Sequence, residues 1–150
     1  MSLRLWQRAV EERLRTGIPG QVMGFDNDTL WIEAAPDEAQ LPRLPITGQV
    51  RPYLCLWFGQ RTDGTPPNRA ITGELCSSKR SNFLVQVCAH DGGLALDAMD
   101  VVSRLLRGFR PAGQGELQES SSTTIRRPLD ISGVKSRISV PIAFSGTVDL

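Results

Sequence analysis

The stretch that most constrains the fold is residues 81–109, SNFLVQVCAHDGGLALDAMDVVSRLLRGF, which reads as a strand, a turn and a helix. Phe83, Val85, Val87 and Ala89 alternate with Leu84, Gln86, Cys88 and His90, the period of a strand with two distinct faces. Asp91-Gly92-Gly93 turns the chain. Leu94, Ala98, Val101, Val102, Leu105 and Phe109 then recur at helical spacing, widened by Met99 and Leu106. Asp97 and Asp100 lie toward the helix start and Arg104 and Arg107 toward its end, as the helix dipole favours. Gly108 supplies a stop. Such a helix must bury its stripe to offset about 1–2 kcal/mol of backbone entropy per ordered residue, so it needs a sheet to lie on. The preceding strand is the nearest partner.

The rest of the chain is read around this unit. Leu3, Trp6, Val10 and Leu14 define an amphipathic helix, with Leu5 and Ala9 widening its stripe, Ser2 as N-cap, and Gly17 and Pro19 as stops. Strand candidates at 22–25 and 29–33 flank the turn residues Asp26-Asn27-Asp28, which predicts a hairpin. Pro36, Pro42 and Pro45 make 34–48 a loop. Residues 50–58, VRPYLCLWF, form a strand with Val50, Leu54, Leu56 and Phe58 on one face and Arg51, Tyr53, Cys55 and Trp57 on the other. Both faces are apolar from Tyr53 onward, which predicts a central position, with a less well paired start at Pro52.

Residues 59–80 form a long loop holding the basic residues Arg61, Arg69, Lys79 and Arg80, with a short strand candidate at 71–75. Residues 111–124 are a second connection, predicted mobile at the hydroxyl-rich 120–124. A short strand at 125–130 breaks at Pro128. The last strand, 137–144, sets Ile138, Val140, Ile142 and Phe144 against Arg137, Ser139, Pro141 and Ala143. Pro141 lacks a donor, which predicts an edge position or irregular pairing. Together these elements define a single α+β domain: a mixed or antiparallel sheet flanked by main helices at about 3–15 and 94–107, with long loops.

Composition narrows the function. The 150 residues carry a net charge of +1, so bulk charge announces no nucleic-acid binder. Nearly all basic residues are Arg, a fork suited to interfaces, though a genome rich in G and C produces the same bias and is the preferred explanation. The three Cys, Cys55, Cys76 and Cys88, include no CxxC. The first residues, MSLRLWQRAVEERLR, carry acids early and lack an apolar h-region, unlike a signal peptide. No apolar run approaches membrane-spanning length. The expectation is a chain kept in a reducing cytoplasm with free thiols.

Few residues gather into chemistry. Cys88 and His90 share a strand face and offer two metal ligands at most, where structural zinc takes four. Asp91 adds a third at best, and nothing else gathers; a catalytic pair needs contact geometry and an orienting group besides. A half-buried thiol and a surface His explain them better. Asp91-Gly92-Gly93 is no phosphate loop, because the Asp repels an anion; GxGxxG, Walker A, GxSxG and HExxH motifs do not occur. No catalytic residue, cofactor or metal ligand is expected. The loop with Arg61, Arg69, Lys79 and Arg80 is a solvated loop, a subunit contact or a nucleic-acid contact. It lacks the interleaved aromatics that base stacking uses.

The order of elements resembles the tail terminator proteins of long-tailed bacteriophages, particularly those infecting actinobacteria. The resemblance is carried by LWQRAVEERL, by VRPYLCLWFG, by SNFLVQVCAHDGGLALDAMDVVSRLLRGFRP and by the closing SRISVPIAFSGTVDL. It implies an α/β domain with a mixed or antiparallel sheet that assembles as a homohexameric ring. The ring caps the completed tail tube, stops its polymerisation and offers a joining surface to neck and head-completion proteins. Its partners are other copies of itself, the major tail tube protein, the neck protein and DNA passing through the lumen without sequence readout; no membrane is involved. The place of action is the head-proximal end of the virion tail, after assembly in the host cytoplasm. Other readings are a neck or head–tail connector protein, a small cytosolic enzyme using Cys88 and His90, and a nucleic-acid-binding module.

Overall fold

The computed structural model describes residues 2–22, 25, 29–37, 39–59, 62–63, 78–119, 127–130 and 137–149, with backbone alone at 62–63, 78–79 and 127–130. Two helices and seven strands are ordered along these residues: α1 Leu3–Gly17, β1 Leu30–Ile32, β2 Tyr53–Phe58, β3 Thr62–Asp63, β4 Ser78–Ala89, α2 Gly92–Leu106, β5 Gln118–Glu119, β6 Arg127–Asp130 and β7 Arg137–Asp149. They form one mixed sheet with main order β1-β2-β4-β7-β5, while β3 pairs with β4 and β6 with β7. Among the described residues no helix is long and apolar enough to cross a membrane.

The first face of the sheet is the core. The alternation in β4 sends Phe83, Val85, Val87 and Ala89 inward, all essentially buried. Leu54 and Leu56 of β2 and Val140, Ile142 and Phe144 of β7 share this face, and both helices cover it. Phe83 stands at its centre: Phe144 stacks on it at 5.4 Å, Phe58 tilts against it at 5.9 Å, and Trp6 of α1 meets it edge-on at 5.8 Å. Such aromatic pairs add about 0.5–1.5 kcal/mol each beyond area burial.

The start of α1 follows the sequence, and α2 starts at a cap supplied by the turn residue Asp91. The Ser2 side chain accepts from the Arg4 N–H at 3.2 Å, and the Asp91 carboxylate accepts from the Leu94 N–H at 2.8 Å. Asp91 thereby fills the anion position at the start of α2. Gly108, at φ +77, ends that helix in the left-handed conformation that glycine adopts without penalty. The stripes are narrower than spacing alone suggests. Leu5 is 53% exposed, so α1 buries only Trp6, Val10 and Leu14 completely. In α2 the fully buried line runs through Ala95, Ala98, Val102 and Leu106, with Leu94 and Leu105 at its margin.

Three expectations are corrected. The described residues of 22–33 show no hairpin: Val22 and Phe25 lie outside any strand, joined by a Phe25-to-Val22 backbone bond of 3.2 Å, and β1 pairs parallel with β2. Cross-strand burial of Leu30 against Leu54 outweighs the local turn signal; residues 26–28 lie outside the described set. Val50 packs on the second face with Tyr53 and Cys55, because Pro52 ends the strand and the chain changes sides there. The connection read over 111–124 carries strand β5, which pairs with β7, and the Gly108 N–H donates to the carbonyl of buried Leu117 at 3.0 Å; residues 120–124, where mobility is predicted, lie outside the described set.

The expectation at Pro141 is met by its second alternative, irregular pairing: β7 is an interior strand between β4 and the pair β5 and β6, and Pro141 lies where the partner on that side changes. The Asn82 carbonyl accepts from Gly59 N–H on the β2 side, so even-numbered β4 residues direct their backbone polar groups toward β2. Pro141 faces Gln86 in register and therefore forms a non-hydrogen-bonded pair with it. Its nitrogen points away from β4, into the interval between the β6 pairing at Ser139 and the β5 pairing at Phe144. Proline is tolerated because no ladder donor is required there. The break read at Pro128 is a register shift in β6 between Pro128 and Asp130.

Candidate functional site

The second face of the sheet is built in cross-strand rows, and the rows differ in chemistry. Tyr53, Cys88 and Ser139 form one row, Cys55, Gln86 and Pro141 the next, and Trp57, Leu84 and Ala143 the third. Leu41 and Val50 pack over the first row from the segment preceding β2, making a small second core with Tyr53, Cys55 and Cys88. Trp31 of β1 and Trp57 flank it, half-buried.

A buried polar chain runs through the covered end. The Arg137 Nε donates to the Tyr53 hydroxyl at 3.1 Å, that hydroxyl bonds the Cys88 thiol, and the Gln86 amide donates to Ser139 Oγ at 2.9 Å beside it. Burial pushes the Tyr53 hydroxyl well above its ordinary range; neighbouring Cys88 adds to this and Arg137 opposes it. Burial likewise raises the Cys88 thiol, with Tyr53, Ser139 and Arg137 partly opposing it. Cys55 is pushed up to about 12 by burial and by Cys88. Both thiols are free and 1% exposed. A reactive cysteine needs an electropositive, accessible setting that favours the thiolate, and these two have the opposite.

The sequence candidates disperse. Arg61 and Arg69 lie outside the described residues, as do Cys76 and the strand read at 71–75. Lys79 and Arg80 belong to β4 and not to a loop: Lys79 pairs with Asp63 and Val148, and Arg80 with Thr62 and Thr147. Their strand is longer at its start than alternation revealed, since pairing with β7 continues through polar residues to Ser78. Arg80 is exposed on the second face, in line with Asn82 and Leu84. Cys88 faces Tyr53 and Ser139, and His90 sits half-buried just past the strand. Among the described residues no group of His, Cys, Asp or Glu could hold a metal ion.

What sequence reasoning missed is the uncovered third row. Trp57, Leu84 and Ala143 border a groove of about 300 Å³ that Phe58, Gly59, Asn82 and Phe83 complete. Leu84 is 36% exposed at its centre. The alternation placed Leu84 on the second face, but only the end point of the cover from 39–51 decides which row stays open. Beside the groove, the edge of β2 beyond the end of β1 is capped by Glu33: its N–H donates to the Leu56 carbonyl at 2.8 Å, its backbone turns at φ +53, and its carboxylate accepts from the Phe58 N–H at 2.8 Å. A charged residue placed there discourages further strand addition. The open apolar row, the exposed Arg80 and the Glu33 carboxylate suit a binding surface for another macromolecule. Compared with known protein families and with curated proteins, the chain matches none.

Proposed function

We propose that this chain is a tail terminator of a long-tailed bacteriophage, the subunit of a ring that caps the completed tail tube, stops its growth and presents a joining surface to the neck. The reading rests on the resemblance of four segments, which correspond to α1, β2, the β4–α2 unit and β7. The observation that carries it further is the half-open second face. A rigid sheet backed by two helices exposes one apolar cross-strand row, Trp57, Leu84 and Ala143, with charges at its margins. That is an assembly surface, and stable assembly uses such rows as the apolar centre of an interface.

The mechanism is geometric. Identical subunits joined by a head-to-tail contact close into a ring when the rotation fits. One ring face matches the tube end and the other accepts no tube subunit, so growth ends. Exposed basic residues such as Arg80 interact with passing DNA through its phosphates, without sequence readout. Imaging the purified protein alone and with tail tubes tests the reading. Rings with a central hole that seat on tube ends and halt elongation are expected. A strictly monomeric protein that leaves tube ends growing overturns it, and rings that bind head or neck components but ignore tubes assign the chain to a connector instead.

A further inference from the structure

Two apolar features on this chain are complementary and stand apart. The first is a knob. Residues 42–51 fold back on themselves: Arg43 bridges Val50, the Arg51 N–H donates to the Pro42 carbonyl at 2.9 Å, and Leu44 and Gly48 close the tip with two further backbone bonds of 2.9 Å. Buried Leu41 and Val50 fasten the stem to the second sheet face. Gly48, at φ +72, permits the return. At the tip Ile46 is 95% exposed, beside exposed Leu44 and Pro45. Single exposed apolar residues are ordinary, but three in a row on a bonded, anchored turn make a presented patch.

The second feature is the groove between Trp57, Leu84 and Ala143. Ile46, being 95% exposed, does not fill the groove of its own chain. We infer that Ile46 of one copy of this chain inserts into the groove of a second copy. The margins agree in charge. Arg43 is exposed beside the knob, and the exposed Glu33 carboxylate is fixed at the groove by its bond to the Phe58 N–H. Arg80 stands at the other margin, two residues beyond Asn82. The knob therefore enters with Arg43 toward Glu33, because the reverse orientation sets Arg43 against Arg80.

Knob and groove are different patches, so each copy offers both and the contact is head-to-tail. A single side chain in a groove buries far less than the roughly 800 Å² per partner of a standard interface. The insertion thus sets register as an anchor within a wider contact. It rests on the ring reading above for closure alone, since a head-to-tail joint also builds open chains.

Mixing two defective variants tests the joint. Ile46→Asp destroys the knob and leaves the groove; Leu84→Asp destroys the groove and leaves the knob. Ala143→Glu, which fills the groove from β7, repeats the second defect at another position, and far-UV circular dichroism with a thermal melt shows which variants are folded. In sedimentation velocity the wild-type protein is expected as an assembly and each folded variant alone as a monomer. An equal mixture of knob and groove variants is expected to give a dimer and nothing larger, because only one productive contact remains. Wild-type assemblies that persist in Ile46→Asp, or a mixture that stays monomeric, overturn the joint. Rings unaffected by the variants overturn the joint and leave the ring reading standing. Open chains or dimers that both defects abolish keep the joint and overturn the ring, and a wild-type protein that stays monomeric both alone and with tail tubes overturns both.

Discussion

Raising the pH above about 9 destabilises this protein through its second core, and Cys55 is the measurable agent. Its ordinary thiol value is 9.0, and burial beneath Leu41 and Val50 together with neighbouring Cys88 raises it to about 12 in the fold. Below the unfolded value both states hold the proton, and the stability is complete. Between the two values the unfolded chain releases the proton and the folded chain keeps it. Stability then falls by about 1.4 kcal/mol per pH unit for this group, a loss of about 3 kcal/mol by pH 11. Cys88 and Tyr53 are raised in the same direction and add to the loss. A domain stable by about 5–15 kcal/mol gives up a large part of its margin. The assay is urea denaturation under reducing conditions from about pH 8 to pH 11, followed by the fluorescence of Trp6, Trp31 and Trp57. Cys55→Ala lowers stability at every pH by a packing term, yet its curve declines more gently by about 1.4 kcal/mol per unit between those values. Parallel curves for wild type and Cys55→Ala refute the assignment.

Three further outcomes are expected. Tyr53→Phe deprives the Arg137 Nε of its 3.1 Å partner and costs about 1–3 kcal/mol. That lowers Tm by several degrees at about 2–4 °C per kcal/mol, and adding Arg137→Met recovers part of the loss; an unchanged melt contradicts the polar chain. Phe83→Ala removes the hub of the aromatic cluster and costs about 3–5 kcal/mol, whereas Phe83→Leu costs less; equal urea midpoints for the two variants contradict its central position. Asp91→Ala loses the cap on the Leu94 N–H and costs about 0.5–2 kcal/mol, while Asp91→Asn keeps an acceptor and most of the stability. Identical melts for the Ala and Asn variants show that the cap contributes nothing.

The parts legible in sequence are those whose signal is local. Alternation in β4 named the four core residues of that strand, and Ser2 and Gly108 announced helix ends that backbone geometry reproduces, whereas Asp91, legible only as a turn residue, caps α2. The parts that failed are those decided at a distance. Leu30 pairs with Leu54 across a parallel ladder, and nothing near residue 30 distinguishes that partner from a hairpin neighbour. Pro141 reads as an edge or an irregular pairing, and only the register shows that it is the second. The bond between Arg137 and Tyr53 joins residues 84 apart, and no spacing rule reaches that far. The candidate surface was half legible: Trp57 and Leu84 had assigned faces, but their exposure depends on where the segment over the second face ends.

That end point follows from Pro52. It stops β2 at Tyr53, and the chain leaves the sheet there and crosses the second face with Val50 and Leu41 as its anchors. The cover therefore lies over the row that needs it. Tyr53, Cys88 and Ser139, with Arg137 alongside, satisfy one another inside the chain, and a partner docked directly on them must match every donor and acceptor or leave a buried polar group unpaired. Trp57, Leu84 and Ala143 carry no such requirement apart from the indole N–H. An apolar side chain from outside can cover Leu84 and Ala143 without desolvating a charge, while Glu33 and Arg80 stay at the margin to orient it. The second face is thus divided between a polar row sealed by its own chain and an apolar row whose chemistry suits a second chain. The division lies between Cys55 and Trp57, two residues apart on one strand.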